Sequence, residues 1–332
     1  MGGEQSLIDR IRRAIPSRPR RPVHSSSRLR LGIGDDAALI SPARGLDFVV
    51  TCDAFLENIH FLPAVHSPDS VGYKSLARAT SDIAAMGAVP RYFLLSLALP
   101  ARRTGKWLEH FLAGMARAAR EYRLLLAGGD TSRQPTVAIS ITVIGEITRG
   151  AALTRSGAHL GDLIYVSGAL GAAQLGLQLV RRGLHRQKRW KPLLRQHSFP
   201  AIRLVLGRFL ALRHLASAMI DLSDGLSTDL ARLCASSRVG ARLWHDCIPA
   251  VAVPPQLRSR GFDPLAFALH GGDDYELLFT VPRRLAKKIP ARYRGVRLTP
   301  IGEIILGRKV RLIDKDGRAT TLDPRGWDHF RS

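Results

Sequence analysis

The sequence predicts an α/β chain with α+β character, in two domains whose mixed sheets are flanked by helices. Three observations carry that expectation. From about residue 46 onward, strand and helix signals alternate. At 332 residues and 45% hydrophobic, the chain is long and apolar enough for a sizeable core, and its length suits two domains. No run of 18 or more apolar residues occurs, and the first residues lack the charged-then-apolar pattern of a secretory signal, so neither export nor membrane spanning is expected.

Taken in order, residues 4–15 read as a short amphipathic helix. Residues 16–30, rich in Pro, Ser and Arg, read as a flexible connector, so that 1–30 form an appendage. The first domain, 31–150, opens with the buried strand "LDFVVT" (46–51) and a helix over 68–86. The strand "YFLLSLAL" (92–99), a helix over 104–122, "RLLLAGGD" and the strand "TVAISITVIGEI" (136–147) complete it. The second domain, 151–332, has the strand "DLIYVSG" (162–168), a helix to about 181, a basic loop, and a helix over 200–213. "AMIDLSDGLSTDLARL" is a strand, a turn and a helix, while "ALHGGDDYELLFTV" and "LTPIGEI" supply further strands. "GGD" followed by "IGEI" occurs in both halves, at 128–130 with 144–147 and at 271–273 with 301–304. Two such short matches hint at duplication, though chance explains them as well.

The net charge of +23 comes from 50 basic against 27 acidic residues, and 42 of the basic ones are arginine. Clusters run from Arg10 to Arg30 and from Arg181 to Arg195, without the aromatic interleaving of a stacking platform. Since arginine is spread through every segment, a generally basic surface is expected, and nucleic acid is not expected as the main partner. Cys52, Cys234 and Cys247 are scattered and form neither a disulfide framework nor a zinc pattern, which suits a reducing cytoplasm.

The scarce acids are more informative. Asp35, Asp36, Asp53, Asp82, Asp130, Asp221, Asp224, Asp273 and Asp274 fall in a few short motifs, and several of them follow an apolar run and sit beside glycine or serine. That placement points to strand-end loops that bind something. "LGIGDDAALI" has dinucleotide-fingerprint spacing through Gly32, Gly34 and Ala37, with Asp53 further on. Asp35 and Asp36 would nonetheless aim carboxylates at the pyrophosphate, so either this is a plain turn or a cation intervenes.

Mg²⁺ takes one or two carboxylates and completes its shell with water and substrate phosphates. A site that handles a nucleoside triphosphate through several such ions draws carboxylates from several loops, and Asp36, Asp53, Asp82, Asp130, Asp221 and Asp224 supply them. Each alone has a plainer explanation: Asp82 as a solvent-facing helix residue, Asp130 as a turn residue, Asp224 as a helix opener. A P-loop, the protein-kinase motifs, zinc-type clusters and a G-x-S-x-G elbow are all missing. Any phosphate handled here falls to metals and backbone.

Eight segments in order, "GIGDDAALI", "TCDAFLENIHF", "SLARATSDIAAMGAVPRYFLLSLALP", "AGGDTSR", "ALTRSGAHLGDLIYVSG", "IDLSDGLSTDLARL", "GGDDYELLFTV" and "GWDHF", resemble the thiamine-monophosphate kinase family. That family is part of the aminoimidazole ribonucleotide synthetase-like superfamily, and the resemblance covers roughly residues 30–330. It implies ATP-dependent phosphorylation of thiamine phosphate to thiamine diphosphate by direct in-line transfer. It also implies a homodimer whose N-terminal domains pair into a shared barrel, with the nucleotide between the two domains. Carried over by position, Asp36, Asp53, Asp82, Asp130, Asp221 and Asp224 would hold Mg²⁺, with Thr51 and Cys52 beside the same ions. Gly129, Asp130, Arg155 and Ser223 would contact ATP, and His60, Asp273 and Trp327 the thiamine phosphate. No general base is implied, because a phosphate monoester acceptor is already anionic near pH 7 and the obstacle is repulsion between anions.

Two positions depart from the family pattern. Cys52 stands where Ser or Thr is more usual, and a thiol is a poor Mg²⁺ ligand unless the backbone carbonyl serves instead. Asp273 stands where the family more often has glutamate. Another ATP-using member of the superfamily with a different acceptor is the alternative. From a different class, a basic nucleic-acid module would bind polyanions salt-sensitively without turning over ATP.

Overall fold

The computed structural model describes residues 10–11, 13–15, 29–31, 39–40 and 44–327. Asp35, Asp36 and most of the expected N-terminal helix and connector lie outside the described residues. The chain divides into two compact units, Met1–Ile83 with Ala88–Gly150 and Ala84–Gly87 with Ala151–Ser332.

The first unit contains a small antiparallel pair, β1 (Leu29–Leu31) and β2 (Leu39–Ile40), and a four-stranded sheet. That sheet comprises β3 (Leu46–Leu56), β4 (Val89–Leu99), β5 (Leu125–Arg133) and β6 (Ala138–Thr148) in the order β3-β6-β4-β5. Helix α1 (Pro68–Ala85) precedes β4, and α2 (Lys106–Tyr122) is the crossover joining the parallel strands β4 and β5. Period-two alternation decides which face is covered. Phe93, Leu95, Leu97, Ile139, Ile141 and Val143 are buried on one face, whereas Phe48, Val50, Cys52 and Ala54 lie exposed on the other.

The second unit holds an eight-stranded sheet in the order β14-β13-β9-β12-β7-β10-β8, with β11 paired to β12. Its strands are β7 (Leu163–Ser167), β8 (Ala218–Asp221), β9 (Gly240–Trp244), β10 (Leu277–Val281), β11 (Arg292–Tyr293), β12 (Val296–Ile305), β13 (Val310–Ile313) and β14 (Ala319–Thr321). Its longer helices are α3 (Ala172–Arg181), α4 (Leu204–Leu212), α5 (Leu226–Ser237) and α6 (Pro264–His270). All pairings are antiparallel except β13 with β9. "LLFTV" of β10 is buried along its whole length between β7 and β8, as a doubly flanked apolar run should be. Ile164, Val166, Ile220, Leu230, Leu233, Leu278 and Ile301 form its core. The expected mixed α/β architecture is therefore observed.

Several local expectations change. β3 continues to Leu56 and β5 runs through "LLAGGDTSR". The basic stretch expected as a loop contains 3-10 segments Leu184–Arg186 and Lys188–Leu194, anchored by the buried Trp190. Of "ALHGGDDYELLFTV", the first three residues belong to α6, which Asp263 caps through Oδ1 to the N–H groups of Leu265 and Ala266, with Pro264 opening the helix. The strand starts only at Leu277 because Asp273 and Tyr275 take left-handed backbone, φ 68° and 52°. Both "IGEI" segments lie in strands, but one "GGD" lies inside β5 and the other in the loop after α6. No described helix is long and apolar enough to cross a membrane.

Candidate active site

In the first unit, strand alternation separates the three residues of "TCD". Thr51 and Asp53 pair with the buried Val143 and Ile141 and share their face, where α1 supplies partners. The Thr51 hydroxyl donates to Asp82 Oδ2 at 2.5 Å. Arg78, one turn before Asp82, forks Asp53 with Nε to Oδ2 at 2.6 Å and Nη2 to Oδ1 at 3.2 Å. Burial pushes the Asp53 carboxyl up from its ordinary value against the pull of Arg78, and the Asp82 charge adds to the rise. Two carboxylates therefore sense each other, and one guanidinium is paired with Asp53. Asp82, which could have been a solvent-facing helix residue, is half-buried and engaged by β3.

Cys52 points to the opposite face. It is exposed, with Sγ 3.4 Å from Ser140 Oγ. Any contribution of position 52 to a metal beside Thr51 and Asp53 would run through the backbone. The register also joins Ala54, Ser140, Ser96 and Asp130 into one row, so Asp130 shares the face of Cys52 rather than that of Asp53. Next to it, a Cβ on Gly129 would meet the Leu95 carbonyl oxygen at 1.9 Å, so glycine is required there for close strand contact. His60 lies in the turn after β3, where Nδ1 accepts the Leu56 N–H at 3.0 Å and the ring packs 5.6 Å from Phe55. A neutral ring so held carries its proton on Nε2.

In the second unit three distant motifs converge at the start of α5. β8 ends in the buried Asp221, and the turn Leu222–Gly225 follows. Asp229 Oδ2 accepts the N–H groups of Asp224 and Gly225, each at 3.0 Å. Burial, helped by the Asp224 charge, pushes Asp229 up to about 6. Asp273 donates its N–H to the Ser223 carbonyl at 2.8 Å, and Trp327 donates its own to the Asp224 carbonyl at 3.1 Å. Gly326 lies so close that a Cβ would sit 1.9 Å from the same Asp224 oxygen. The Asp273 carboxylate accepts the Tyr275 hydroxyl at 2.6 Å. Ser223, Asp224, Asp273 and the exposed Trp327 thus form one cluster.

Arg155 does not join it. Its carbonyl accepts from Ser237 Oγ at 2.9 Å, and Ser237 closes α5, roughly 18 Å of helix away from Asp224. The neighbouring Asp274 faces away from this cluster's surface. It is buried, and it caps α3 by accepting the N–H groups of Gly171 and Ala173.

Sequence reasoning missed Arg78, Arg232 and Asp229. Arg232 Nη1 bonds Asp224 Oδ2 and lies 2.9 Å from Asp229 Oδ1. The available signal was spacing: Arg78 is four residues before Asp82 on one helix face, and Asp229 and Arg232 are neighbours at i,i+3. Among the described residues no group of three or more His, Cys, Asp or Glu converges. Pairs of oxygen donors nonetheless fit Mg²⁺, an ion that fills the rest of its shell with water and phosphate oxygens.

Two mixed α/β units, the first with aspartates on a strand and its facing helix and the second with aspartates at a strand end and the turn after it, define a class. Residues 34–147 match the model described as AIR synthase related protein, N-terminal domain, and residues 160–315 match the corresponding C-terminal domain. The chain is 39% identical to the thiamine-monophosphate kinase of Escherichia coli (strain K12), covering 99% of this chain and 98% of that protein. The crystal structure of thiamine-monophosphate kinase from Stenotrophomonas maltophilia K279a superposes with a TM-score of 0.80 at 37% identity, covering 96% of this chain and 98% of that one. A structure described as AaThiL complexed with AMPPCP and TMP gives 0.76 at 30% identity, covering 99% and 97%. The chain belongs to the thiamine-monophosphate kinase family, within the AIR synthase related proteins.

Proposed function

We propose that this protein phosphorylates thiamine phosphate to thiamine diphosphate with ATP, in the cytoplasm and as a homodimer. The observation that carries this reading is the presence of two aspartate sets, Asp53 on β3 beside Asp82 on α1 and Asp221 at the end of β8 with Asp224 in the turn after it, in a chain similar along its length to a relative complexed with AMPPCP and TMP. A phosphate oxygen of the acceptor attacks the γ-phosphorus in line, the bond to the β,γ-bridging oxygen breaks, and ADP leaves. No side chain need remove a proton, because the acceptor oxygen is already ionised near pH 7.

Asp53, Asp82, Asp130, Asp221 and Asp224, with Thr51 and the backbone of Cys52, would hold Mg²⁺. Bound there, Mg²⁺ would supply the positive charge that lets two anionic phosphates meet. Ser223, Gly129, Asp130 and Arg155 would contact ATP. His60, Asp273 and Trp327 would receive thiamine phosphate, the Trp327 face suiting a flat pyrimidine or a cationic thiazolium. Tyr275 fixes the orientation of the Asp273 carboxylate for that contact. The open face of β3, with Phe48 and Val50 exposed, supports sheet pairing between two copies.

Incubating purified protein with ATP, Mg²⁺ and a panel of phosphorylated acceptors tests the assignment. ADP release should require thiamine phosphate. Release with another acceptor but not with thiamine phosphate overturns the substrate while leaving the fold intact.

A further inference from the structure

Two arginines that the proposed chemistry leaves unused stand on two of its aspartates. In the first unit Arg78 engages both oxygens of Asp53, and its guanidinium lies 5.3 Å from the centroid of the Phe55 ring. In the second unit Arg232 bridges Asp224 and Asp229. The two arrangements arise from different local geometry: Arg78 reaches from α1 across to β3, whereas Arg232 folds back along α5 to the turn before it. In both, the arginine serves an aspartate with a second carboxylate beside it, Asp82 in one case and Asp229 in the other. Without the guanidinium each pair would be two like charges in a partly desolvated pocket.

A carboxylate paired with a guanidinium has acceptor sites engaged, on both oxygens of Asp53 and on one of Asp224, and a cation that approaches either pair of carboxylates meets one net negative charge rather than two. We propose that Arg78 and Arg232 are resident counter-cations. Each holds and neutralises its aspartate in the metal-free protein and yields it when Mg²⁺ arrives with nucleotide phosphates. Free Mg²⁺ therefore binds weakly at Asp53 and Asp224, and metal enters as the nucleotide complex. The released guanidinium groups retain local partners, Arg232 on Asp229 and Arg78 over Phe55, so the exchange needs no unfolding of α1, β3 or the turn before α5. Among the described residues no group of three or more His, Cys, Asp or Glu is placed to hold a metal ion, which agrees with this order, because phosphate oxygens must complete the metal shell. The inference rests on the metal role proposed above for Asp53 and Asp224.

Mn²⁺ in place of Mg²⁺ allows a direct test, since free Mn²⁺ is counted by electron paramagnetic resonance. Binding is measured with and without AMPPCP for the unmodified protein, Arg78→Gln, Arg78→Lys, Asp53→Asn and the double variant Arg78→Gln with Asp53→Asn, after circular dichroism confirms folding. The expected result without nucleotide is about tenfold tighter Mn²⁺ binding in Arg78→Gln, a smaller gain in Arg78→Lys, and loss of the gain in the double variant. In addition, Mn²⁺ alone should raise the melting temperature of Arg78→Gln more than that of the unmodified protein. Should Arg78→Gln not fold, Arg78→Lys carries the comparison, because it keeps the charge and loses the fork.

Equal Mn²⁺ affinity with and without the Arg78 fork, alongside weakened Mn²⁺·AMPPCP binding in Asp53→Asn, would make Arg78 an ordinary ion pair and overturn the proposal. If Asp53→Asn leaves Mn²⁺·AMPPCP binding unchanged, the metal role of Asp53 itself falls, and the counter-cation role with it.

Discussion

Asp53→Asn should separate activity from stability. The amide keeps the shape of the side chain and one acceptor oxygen for Arg78 but removes the charge. Burial and Asp82 together push the Asp53 carboxyl up despite the bidentate Arg78 contact, so its charge is held less favourably in the folded protein than in the unfolded chain. Removing the charge therefore costs little. Arg78 loses one ionic partner but lies a single helical turn from Asp82 on α1, and repulsion between two carboxylates disappears. The melting temperature should move by no more than about 3 °C, corresponding to about 1 kcal/mol for a chain of this size. Turnover should fall about a thousandfold, or about 4 kcal/mol in activation free energy, the scale of losing one preorganised charge-stabilising group. Differential scanning fluorimetry and a coupled ADP assay on the same preparation measure both quantities. Activity within tenfold of the unmodified protein, or a melting temperature lower by more than about 8 °C, would refute this reasoning, because Asp53 would then be dispensable or structural.

Three further outcomes follow from individual contacts. Asp274 is buried with its carboxyl pushed up to about 7, so the folded protein keeps a proton there that an unfolded carboxyl, near 3.8, gives up. Stability should fall as pH rises from about 4 to about 7, by at most about 4 kcal/mol, and Asp274→Asn should flatten that slope in denaturant unfolding at pH 5 and pH 8. Gly326→Ala places a methyl 1.9 Å from the Asp224 carbonyl and should push Trp327 off the turn, raising KM for thiamine phosphate several-fold with little change in melting temperature. Val50→Asp puts a charge on the open face of β3 and should convert the proposed homodimer to monomer in light scattering without loss of secondary structure.

The order of strands and helices was legible because apolar runs and amphipathic periods recorded it, but their limits were less so. β3 was read as ending at Thr51 since "CDAFLE" mixes polar and apolar residues, yet that mixture is the alternation of a strand with one open face. The helix over "ALH" was signalled by Asp263 and Pro264, just upstream of the segment read as a strand. Within the site, the aspartates were legible as residue types beside glycine. Their grouping was not: that Asp130 lies on the other face from Asp53 depends on cross-strand register, and the meeting of Trp327, Asp224 and Asp273 depends on three loops separated by up to about a hundred residues. Arg78 and Arg232 were hidden for a different reason. Among 42 arginines, composition marks none as special, and only the fork onto a particular carboxylate does.

The central claim is direct transfer of the γ-phosphoryl group from ATP to thiamine phosphate. Supplying γ-³²P-labelled ATP with Mg²⁺ and thiamine phosphate, then separating nucleotides, thiamine phosphates and protein, tests it in one measurement. Label is expected in thiamine diphosphate, equal in amount to the ADP formed, with none retained on the protein. ADP formed without labelled thiamine diphosphate, or label trapped on a side chain during turnover, would contradict it.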